Sequence, residues 1–527
     1  MGSADAIVVG GGHNGLVAAA YLAKAGLQVV VLERRPIVGG ACVTEEIHPG
    51  FHVSTLAYVC GLLRPEIKAD LDLASFGLEE RAYDPALFHP FPDRRYLLYR
   101  TDLATNQKEI ARFSKADAEA LPRYEKFWEG FGEMLEPTLL APPVPLADLA
   151  SFVTTPEAED FLRRILFMSI ADLLDEYFES EEVKASLATS AVAGTMAGPE
   201  TPGTAFVLGH HTLGDIGGKK GAWGWPRGGM GAISDSIARS ARHHGAVIRT
   251  GAEVRRVLVR EGRAVGVELA DGNRIESQVV LSNADPKRTF LRLVEKEHLP
   301  PEFIRAIERI RFESSSFKLN LALRELPDFA AIPGRSLQPH HQAIIDLAPS
   351  IDYLEKAYDD AKRGRPSQEP FLEFVLQSAN DPTVAPPGMH TLTISAKFAP
   401  FDLKAGSWDT EAERFAERIL DVLEQYAPNI RKAIVARQWR TPLDMEREYG
   451  LTRGDVFHGA ILPHQMFSFR PVPGWSSYRT PIRGLYLCGA GAHPGGGVIG
   501  APGHNAAMAV LEDWPQLRGT PSQVSRT

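Results

Sequence analysis

The chain of 527 residues is 44% hydrophobic and 23% charged, which is the composition of a globular protein with a large core. Its formal net charge of −9 and the lack of a basic cluster argue against a nucleic-acid partner. Its three cysteines are far apart and form no CxxC pair, so neither a redox dithiol nor a metal site is predicted.

No targeting or membrane-spanning segment is expected. The first predicted strand begins near residue 5, and the most apolar helix candidate, residues 165–174, is far shorter than a bilayer span. We therefore expect a cytoplasmic protein, or a mitochondrial matrix protein if the source is a eukaryote. Contact with a membrane surface and homo-oligomer formation stay open.

The start of the chain predicts a βαβ unit. A strand over residues 5–10 runs into the letters GGGHNG and a small-residue helix over residues 16–25. A second strand over residues 27–32 ends on Glu33. Glycines at the first turn and an acid at the tip of the second strand are typical of a dinucleotide site. The helix N-terminus attracts the phosphates, and Glu33 accepts the hydroxyls of the adenosine ribose.

Each glycine of this unit has a predicted task. Gly10 allows the tight turn, Gly12 lets the backbone approach a pyrophosphate, and Gly15 lets the helix pack closely on the strand. A second glycine pair, Gly39-Gly40, follows soon after the ribose acid. That pair lets another loop close over the phosphates, which is typical of flavin rather than nicotinamide sites.

The middle of the chain predicts a helical block and a glycine-rich segment. Residues 108–113 predict a short strand. Three amphipathic helices follow over residues 115–140, 156–178 and 180–193. Their apolar faces indicate a core, with a lipophilic tunnel or a membrane-facing surface as the alternative. Residues 194–231 are rich in glycine and contain the pair His210-His211, which favours a functional loop.

An α/β pattern returns twice after the helical block. The first return predicts a helix over 233–244, a hairpin over 257–269 and a strand over 274–281. The second predicts strands over 317–323, 342–346 and 391–398, with helices over 350–363 and 410–426. Near the end, a strand over 485–488 meets a glycine loop, and a helix follows over 503–513. A glycine loop that leads into a helix N-terminus favours close approach of a flat or phosphorylated ligand.

Three blocks together resemble the FAD-dependent oxidoreductases related to phytoene desaturase, within the glutathione-reductase-like flavoproteins. The blocks are GGGHNGL with LERRPIVGGAC, WPRGGMGAISDSIA with VVLSNADP, and GLYLCGAGAHPGGGVIGAPGHNAA. Stretches such as GPETPGTAFVLGHH favour a subgroup named after pyridine nucleotide-disulfide oxidoreductases. Disulfide chemistry is not expected, because the sequence has no redox dithiol.

The resemblance implies FAD as the cofactor and assigns its contacts. They are Gly10, Gly12, His13, Asn14, Gly15, Glu33, Arg34, Gly39, Gly40, Ala41, Val254, Gly489, Ala490, Gly496, Gly497 and Val498. The broad flavoprotein pattern has Gly-Asp where this chain has Gly489-Ala490. Backbone N–H groups are expected to replace that aspartate.

The resemblance also implies the fold. We predict an α/β protein in which a glutathione-reductase-like FAD/NAD(P)-binding Rossmann domain is interleaved with an α+β substrate domain. The FAD-binding domain comprises residues 1–75, 225–300 and 451–515, the substrate domain residues 76–224 and 301–450, and a flexible tail residues 516–527.

The activity implied is dehydrogenation, desaturation or saturation of C–C bonds in a hydrophobic, polyene- or lipid-like small molecule. FAD carries the hydride step, and a base must take the remaining proton. His493, His504 and His211 are the predicted catalytic candidates, with His210 beside them. A quinone, oxygen or NAD(P) is the expected electron partner, because only one dinucleotide fingerprint is present. An FAD-containing interaction protein with weak activity and a flavin amine oxidase are the alternatives.

Overall fold

Residues 4–151, 153–313 and 315–518 are described by a computed structural model. Two seven-stranded sheets form its framework. The first sheet contains the strands Ala4–Val9, Val29–Leu32, Val247–Arg249, Val254–Arg260, Arg263–Leu269, Arg274–Ser282 and Leu485–Leu487. Its strands come from three distant parts of the chain, so the returning α/β patterns join the opening βαβ unit in one sheet.

The first sheet is parallel around its opening strand. Ala4–Val9 lies between Val29–Leu32 and Arg274–Ser282, and Arg274–Ser282 also pairs in parallel with Leu485–Leu487. The predicted hairpin is confirmed as the antiparallel pair Val254–Arg260 and Arg263–Leu269. Parallel strands bring their carboxyl ends to one edge, which is where α/β sheets bind ligands.

Three helices rich in small residues pack beside this sheet. They are His13–Lys24, Gly231–His243 and Ala501–Leu517, and the first contacts both of the others. Alanine and glycine let the helix backbones approach closely, as at Gly503, where an added Cβ would lie 2.0 Å from the Asn14 carbonyl oxygen. The last helix includes residues 516 and 517 of the predicted tail, and residues 519–527 lie outside the described part of the chain.

The second sheet is formed by strands of the two intervening segments. In order across the sheet its strands are Ile434–Arg440, Ser316–Leu323, His390–Lys397, Leu372–Val375, Ile344–Leu347, Leu87–Pro90 and Tyr96–Tyr99. Alternate residues such as Phe317, Leu319 and Phe374 enter a core with the helix Trp408–Tyr426. Because side chains alternate along a strand, their neighbours point to the opposite face.

Helices fill most of the segment between the opening unit and the first return of α/β pattern. Their bounds are Leu103–Ile110, Lys115–Leu135, Leu146–Ser151, Pro156–Phe167, Ile170–Asp175, Glu181–Ala188 and Thr204–His211. The strand predicted over residues 108–113 was wrong. The Asp102 side chain accepts the Thr105 backbone N–H at 2.8 Å and so caps a helix there.

The helix predicted over residues 156–178 is two helices. Met168 has extended backbone dihedrals, and the Ser169 hydroxyl accepts the Asp172 N–H at 3.0 Å to start the second helix. The helix is thus interrupted by a local serine cap that the apolar periodicity does not reveal. Within the described residues, no helix combines the length and the apolarity needed to cross a bilayer.

The remaining elements connect the two sheets. Further helices are Pro65–Asp70, Pro286–Arg288, Pro301–Arg309, Ile351–Lys362, Gln377–Asn380, Ile430–Ala433 and Pro442–Asp444. Short strand pairs are Thr44–His48 with Phe51–Ser54, Glu80–Ala82 with Gly224–Pro226, and Asp215–Ile216 with Lys219–Lys220. The domain limits given above stay a prediction.

Candidate active site

The two glycine segments predicted to close over phosphates are in contact. Gly15 has no room for a side chain, because an added Cβ would lie 2.4 Å from the Gly10 carbonyl oxygen. Gly39 has a φ of +115°, which disfavours any other residue. Its N–H donates to the Gly11 carbonyl at 2.8 Å, so the Gly39-Gly40 turn lies directly on the first glycine turn. This backbone arrangement forms a narrow cradle.

Glu33 lies at the tip of the second strand, as predicted, and is 7% exposed. Its two carboxylate oxygens accept the Gly11 and Arg35 backbone N–H groups, each at 2.8 Å. The Glu33 carbonyl accepts the N–H of Ala252 at 2.8 Å, which brings the segment before Val254 alongside the acid. Arg34 is half-buried and donates to the Arg447 carbonyl instead. The structure thus brings Glu33 close to the segment of Val254, another predicted FAD contact.

The C-terminal glycine loop closes against the opening helix. His13 donates its Nε2–H to the Gly497 carbonyl at 3.1 Å, and burial lowers the pKa of this histidine to about 4. Asn283, after the strand Arg274–Ser282, donates to the Gly10 carbonyl at 3.3 Å. An added Cβ at Gly489 would lie 2.6 Å from the Asn283 carbonyl oxygen. Residues from three distant blocks therefore meet at one place.

Arg470 holds the C-terminal glycine loop in place through hydrogen bonds to backbone carbonyls. It is 2% exposed and donates to the carbonyls of Ala490 at 2.9 Å and Ala460 at 3.2 Å, and also to that of Phe457. The sequence gives no signal for this role, because the arginine donates mainly to backbone carbonyls that folding brings near it. Burial lowers the pKa of Arg470 to about 10, so the guanidinium stays charged at neutral pH.

A large cavity extends from this cradle to the second sheet. Its volume is about 1020 Å³, and His13, Ala41, Gly497 and Val498 line its cradle end. These four residues were all assigned to the cofactor. The other walls come from the helical block and from the second sheet, so the cavity joins the predicted cofactor region to the predicted substrate region.

The second sheet forms one wall of this cavity, and a row of polar side chains crosses that wall. Strand register places Lys318 opposite Ser395, Ser395 opposite Glu373, and Glu373 opposite Asp346. All four line the cavity. Lys397 is a diagonal neighbour of Lys318 on the same face and lines it too. We call these five residues the polar row.

Tyr58 covers the polar row. Its hydroxyl donates to Glu373, and the Lys397 ammonium donates to the Tyr58 oxygen at 3.5 Å and to the Ser395 hydroxyl at 3.1 Å. The Lys318 Nζ lies 3.8 Å from the centroid of the Tyr58 ring, a cation–π contact. No motif marks these residues, because they come from four strands and a loop that are far apart in sequence.

Burial controls the charge of the polar row. Desolvation, followed by the Lys397 charge, holds the pKa of Lys318 well below its usual range. Desolvation, followed by Glu373, holds the pKa of the Asp346 carboxyl well above its usual range. Both shifts favour the neutral form of the group, so ionised Asp346 and ionised Lys318 are each costly in this cavity.

The predicted histidines lie in different places. His211 lines the large cavity and donates its Nδ1–H to the Val207 carbonyl at 2.9 Å, and burial lowers its pKa to about 3. His210 donates its Nε2–H to the Gly496 carbonyl at 2.9 Å and so supports the glycine loop. The rings of these two histidines meet edge to face at 5.8 Å.

His493 and His504 are not among the residues that line the large cavity. His493 lines a second cavity of about 690 Å³ in the helical block, where its Nε2 contacts the Thr138 carbonyl at 3.2 Å. His504 lies on the last helix, with its Nδ1 2.8 Å from the Asn505 amide oxygen and its ring edge-on to Tyr21. The structure does not bring the three catalytic candidates together.

A glycine-lined cradle at the carboxyl edge of a parallel sheet, joined by a cavity to a second sheet, is the arrangement expected of a flavoprotein oxidoreductase. The family model described as flavin containing amine oxidoreductase matches residues 15–511. The chain belongs to this family and is an FAD-dependent oxidoreductase, which confirms the predicted cofactor and the resemblance to phytoene desaturases.

Relatives of known name cover almost the whole chain. Pyridine nucleotide-disulfide oxidoreductase domain-containing protein 2 of Rattus norvegicus is 44% identical, over 97% of this chain and 93% of the relative. A limonene dehydrogenase subunit of Castellaniella defragrans is 29% identical, over 97% and 94%. A lycopene-forming phytoene desaturase of Pseudescherichia vulneris is 25% identical, over 96% and 98%.

A solved structure shows the same fold. Cyclohexylamine oxidase of Brevibacterium oxydans matches with a TM-score of 0.59 and 17% identity, over 98% of this chain and all of that one. The predicted Rossmann-like α/β class is therefore confirmed. Cys42, Cys60 and Cys488 are all buried and none of them forms a disulfide, although the name of the rat relative contains that word.

The residues of the cradle fit FAD. No side chain caps the first helix, whose N-cap is Gly12, so its first N–H groups point free toward the cradle. The Asn14 side-chain oxygen is buried there without a hydrogen-bond partner. A dinucleotide supplies phosphate acceptors for the free N–H groups and a hydroxyl donor for such an oxygen.

Proposed function

We propose that this FAD-dependent oxidoreductase dehydrogenates or saturates a carbon–carbon bond in a substrate with an apolar, lipid-like body. The proposal rests on the cavity of about 1020 Å³, which is lined by cradle residues at one end and by residues of the second sheet at the other. A volume of that size accommodates a flavin ring together with part of an extended substrate. The names of two relatives, a limonene dehydrogenase subunit and a phytoene desaturase, agree with this chemistry.

The cofactor contacts follow from the cradle. The N-terminus of the helix His13–Lys24 would hold the pyrophosphate, Glu33 the adenosine ribose, and Gly497 and Val498 the flavin end. When bound, FAD accepts or supplies a hydride at its flavin ring. The Gly39-Gly40 turn would cover the phosphates and exclude water from them.

A proton must also move when a C–C bond is dehydrogenated. Of the predicted catalytic histidines, His211 is the one that lines the large cavity. Burial keeps its ring neutral at neutral pH, and because Nδ1 donates to Val207, the Nε2 atom is the proton acceptor. The lowered pKa makes this nitrogen a weak base. We assign His493 and His504 no proton transfer in this cavity, because they lie elsewhere.

Amine oxidation is the second candidate, and one observation favours it. Glu125, Glu129 and Glu133 follow each other at four-residue spacing on the helix Lys115–Leu135 and line the outer part of the cavity. Such a face attracts cations. Amines carry that charge at neutral pH.

Anaerobic reduction of the bound flavin distinguishes the two candidates. The purified holoprotein is mixed with a panel of polyenes, saturated and unsaturated acyl compounds, and amines, and loss of flavin absorbance is recorded. Bleaching by a polyene or an acyl compound supports the proposal. Bleaching by amines alone, or a protein that binds no flavin, contradicts it.

The electron partner stays a prediction, with a quinone, oxygen or NAD(P) as the candidates. Reoxidation of the bleached flavin in the presence of each of the three separates them. Homo-oligomer formation, membrane contact and the cellular compartment likewise stay predictions.

A further inference from the structure

Two buried lysine amino groups face the large cavity with no carboxylate in ion-pair contact. Lys318 is 4% exposed and Lys397 is 3% exposed. Among the described residues, no carboxylate oxygen lies within 4.0 Å of either Nζ. The nearby Glu373 carboxylate is engaged by the Tyr58 hydroxyl. A buried cation without a counter-charge is strongly destabilising, because it loses its hydration and gains no ion pair in return.

The ligand of the cavity is the remaining source of a counter-charge. The polar row holds two lysines and two acids, but the pKa of Asp346 is raised well above its usual range by burial and by Glu373. Burial and the Lys397 charge lower the pKa of Lys318 as well, so Lys318 carries its charge only when a ligand brings a negative one. A single negative charge on the ligand is enough for this, whereas a doubly charged phosphate would also meet Glu373 at close range.

Other polar atoms at the cavity also lack partners. The Tyr83 hydroxyl and one Asp346 carboxyl oxygen are buried, line the cavity and have no hydrogen-bond partner. A pure hydrocarbon would leave these atoms without a hydrogen-bond partner and would give neither lysine a counter-charge. The cavity wall therefore favours a ligand with a polar, anionic end.

We propose that Lys318 and Lys397 bind the carboxylate of the substrate, so that the substrate is a carboxylic acid with an apolar body. The two lysines lie on neighbouring strands with their ammonium groups on one face, which suits the two oxygens of a carboxylate. This inference rests on the proposed function and narrows its substrate class from lipid-like compounds to acids.

The acidic residues at the outer part of the cavity do not oppose this assignment. Glu129 and Glu133 are exposed to solvent, and salt screens exposed charges within a Debye length of about 10 Å. Lys318 and Lys397 are buried, where screening is weak. The inner lysines therefore decide which end group binds, and the outer acids affect mainly the rate of entry.

Calorimetric titration of the holoprotein tests the proposal without measuring turnover. The probes are decanoate, methyl decanoate and decylamine, each below its micelle threshold. We expect decanoate to bind about tenfold or more tightly than the ester, since a buried charge pair distinguishes the two. Lys318→Met, and Lys318→Met combined with Lys397→Met, should reduce the affinity for decanoate to that for the ester.

Lys220→Met is the matched control. Lys220 also lines the cavity, but it is exposed and pairs with Glu136 at 2.8 Å. It should leave the preference for decanoate unchanged. Flavin content and unfolding temperature are recorded for every variant, and if the Lys318 variants do not fold, the ranking of the three probes on the natural chain decides.

Equal binding of acid and ester, tighter binding of decylamine, or a preference that survives the loss of both lysines overturns the proposal. These outcomes differ from failure of the proposed function. A chain that selects decanoate but whose flavin is not reduced by any acyl or polyene compound would contradict the carbon–carbon chemistry alone. A chain whose flavin is reduced by neutral hydrocarbons without acid selectivity would contradict the carboxylate site alone.

Discussion

The two sheets present different chemical groups to the large cavity. The first sheet presents backbone: glycine turns, a free helix N-terminus and carbonyls held by His13 and Arg470. The second sheet presents side chains, the polar row, aligned by strand register. Backbone recognition suits a cofactor that a whole family shares. Side-chain recognition suits a substrate that differs between relatives, because a few substitutions change it without disturbing the fold.

The largest effect is expected at the backbone side. In Gly15→Ala the new methyl group would lie 2.4 Å from the Gly10 carbonyl oxygen, a backbone atom that would have to shift. We expect the purified variant to lose most of its bound flavin, measured as flavin absorbance per protein. Gly130→Ala is the control, because nothing lies within 4 Å of its added Cβ. Full flavin content in Gly15→Ala would show that the close approach is not needed.

Arg470→Met tests the support of the glycine loop. The substitution leaves the carbonyls of Ala490, Ala460 and Phe457 buried without their donor. We expect the free energy of unfolding to fall by about 3–5 kcal/mol, measured by urea denaturation, because each buried acceptor left without a donor costs about 1–3 kcal/mol. Arg483→Met is the control, since the Arg483 side chain is exposed and donates to the Gln516 carbonyl. A loss below about 1 kcal/mol in Arg470→Met would contradict the supporting role.

The pH dependence of the unfolding free energy tests the burial of His89 in the second sheet. Burial lowers the pKa of His89 to about 4 from its usual 6.5, so between these values the unfolded chain binds the extra proton. Its contribution to stability is complete above pH 6.5 and is lost as the pH falls toward 4. His89→Gln should reduce the slope of unfolding free energy in this window by about 1.4 kcal/mol per pH unit.

The control for this slope is His48→Gln, whose ring is exposed to solvent. It should leave the pH dependence unchanged. If His89→Gln leaves the slope unchanged as well, the buried histidine is not neutral in the folded protein.

Tyr58→Phe gives the smallest expected change and tests the polar row. The phenyl ring keeps the contact with Lys318 but loses the hydroxyl that donates to Glu373 and accepts from Lys397. We expect a loss of about 1.5–3 kcal/mol of stability, the range for a hydrogen bond to a charged group, with flavin content unchanged. A drop in flavin content equal to that in Gly15→Ala would contradict the separation of the two sides.

The contrast between backbone and side-chain recognition also explains which parts of the site can be predicted from the sequence. The cradle is visible because a close backbone approach requires glycine at fixed spacing, as at Gly10, Gly12, Gly15 and Gly39. The strands and most helices follow from apolar periodicity. The helix Leu103–Ile110 was missed because its start depends on the cap formed by Asp102 rather than on periodicity.

The polar row is invisible in the sequence for a different reason. Lys318, Asp346, Glu373 and Ser395 come from separate strands, and only their register makes them neighbours. Asn283 and Arg470 likewise gain their roles from carbonyls that folding brings to them. A single lysine inside an apolar strand, as in FKLNLAL, is the one local sign of such a wall, because a buried strand otherwise excludes charge.

A crystal structure of the FAD-loaded protein tests the central claim most directly, namely that one cavity serves the backbone cradle and the polar row. We predict electron density for the flavin ring inside this cavity, with Gly497 and Val498 at one side and free space between the ring and Lys318. A ring outside this cavity, or one separated from the polar row by packed protein, would contradict the account.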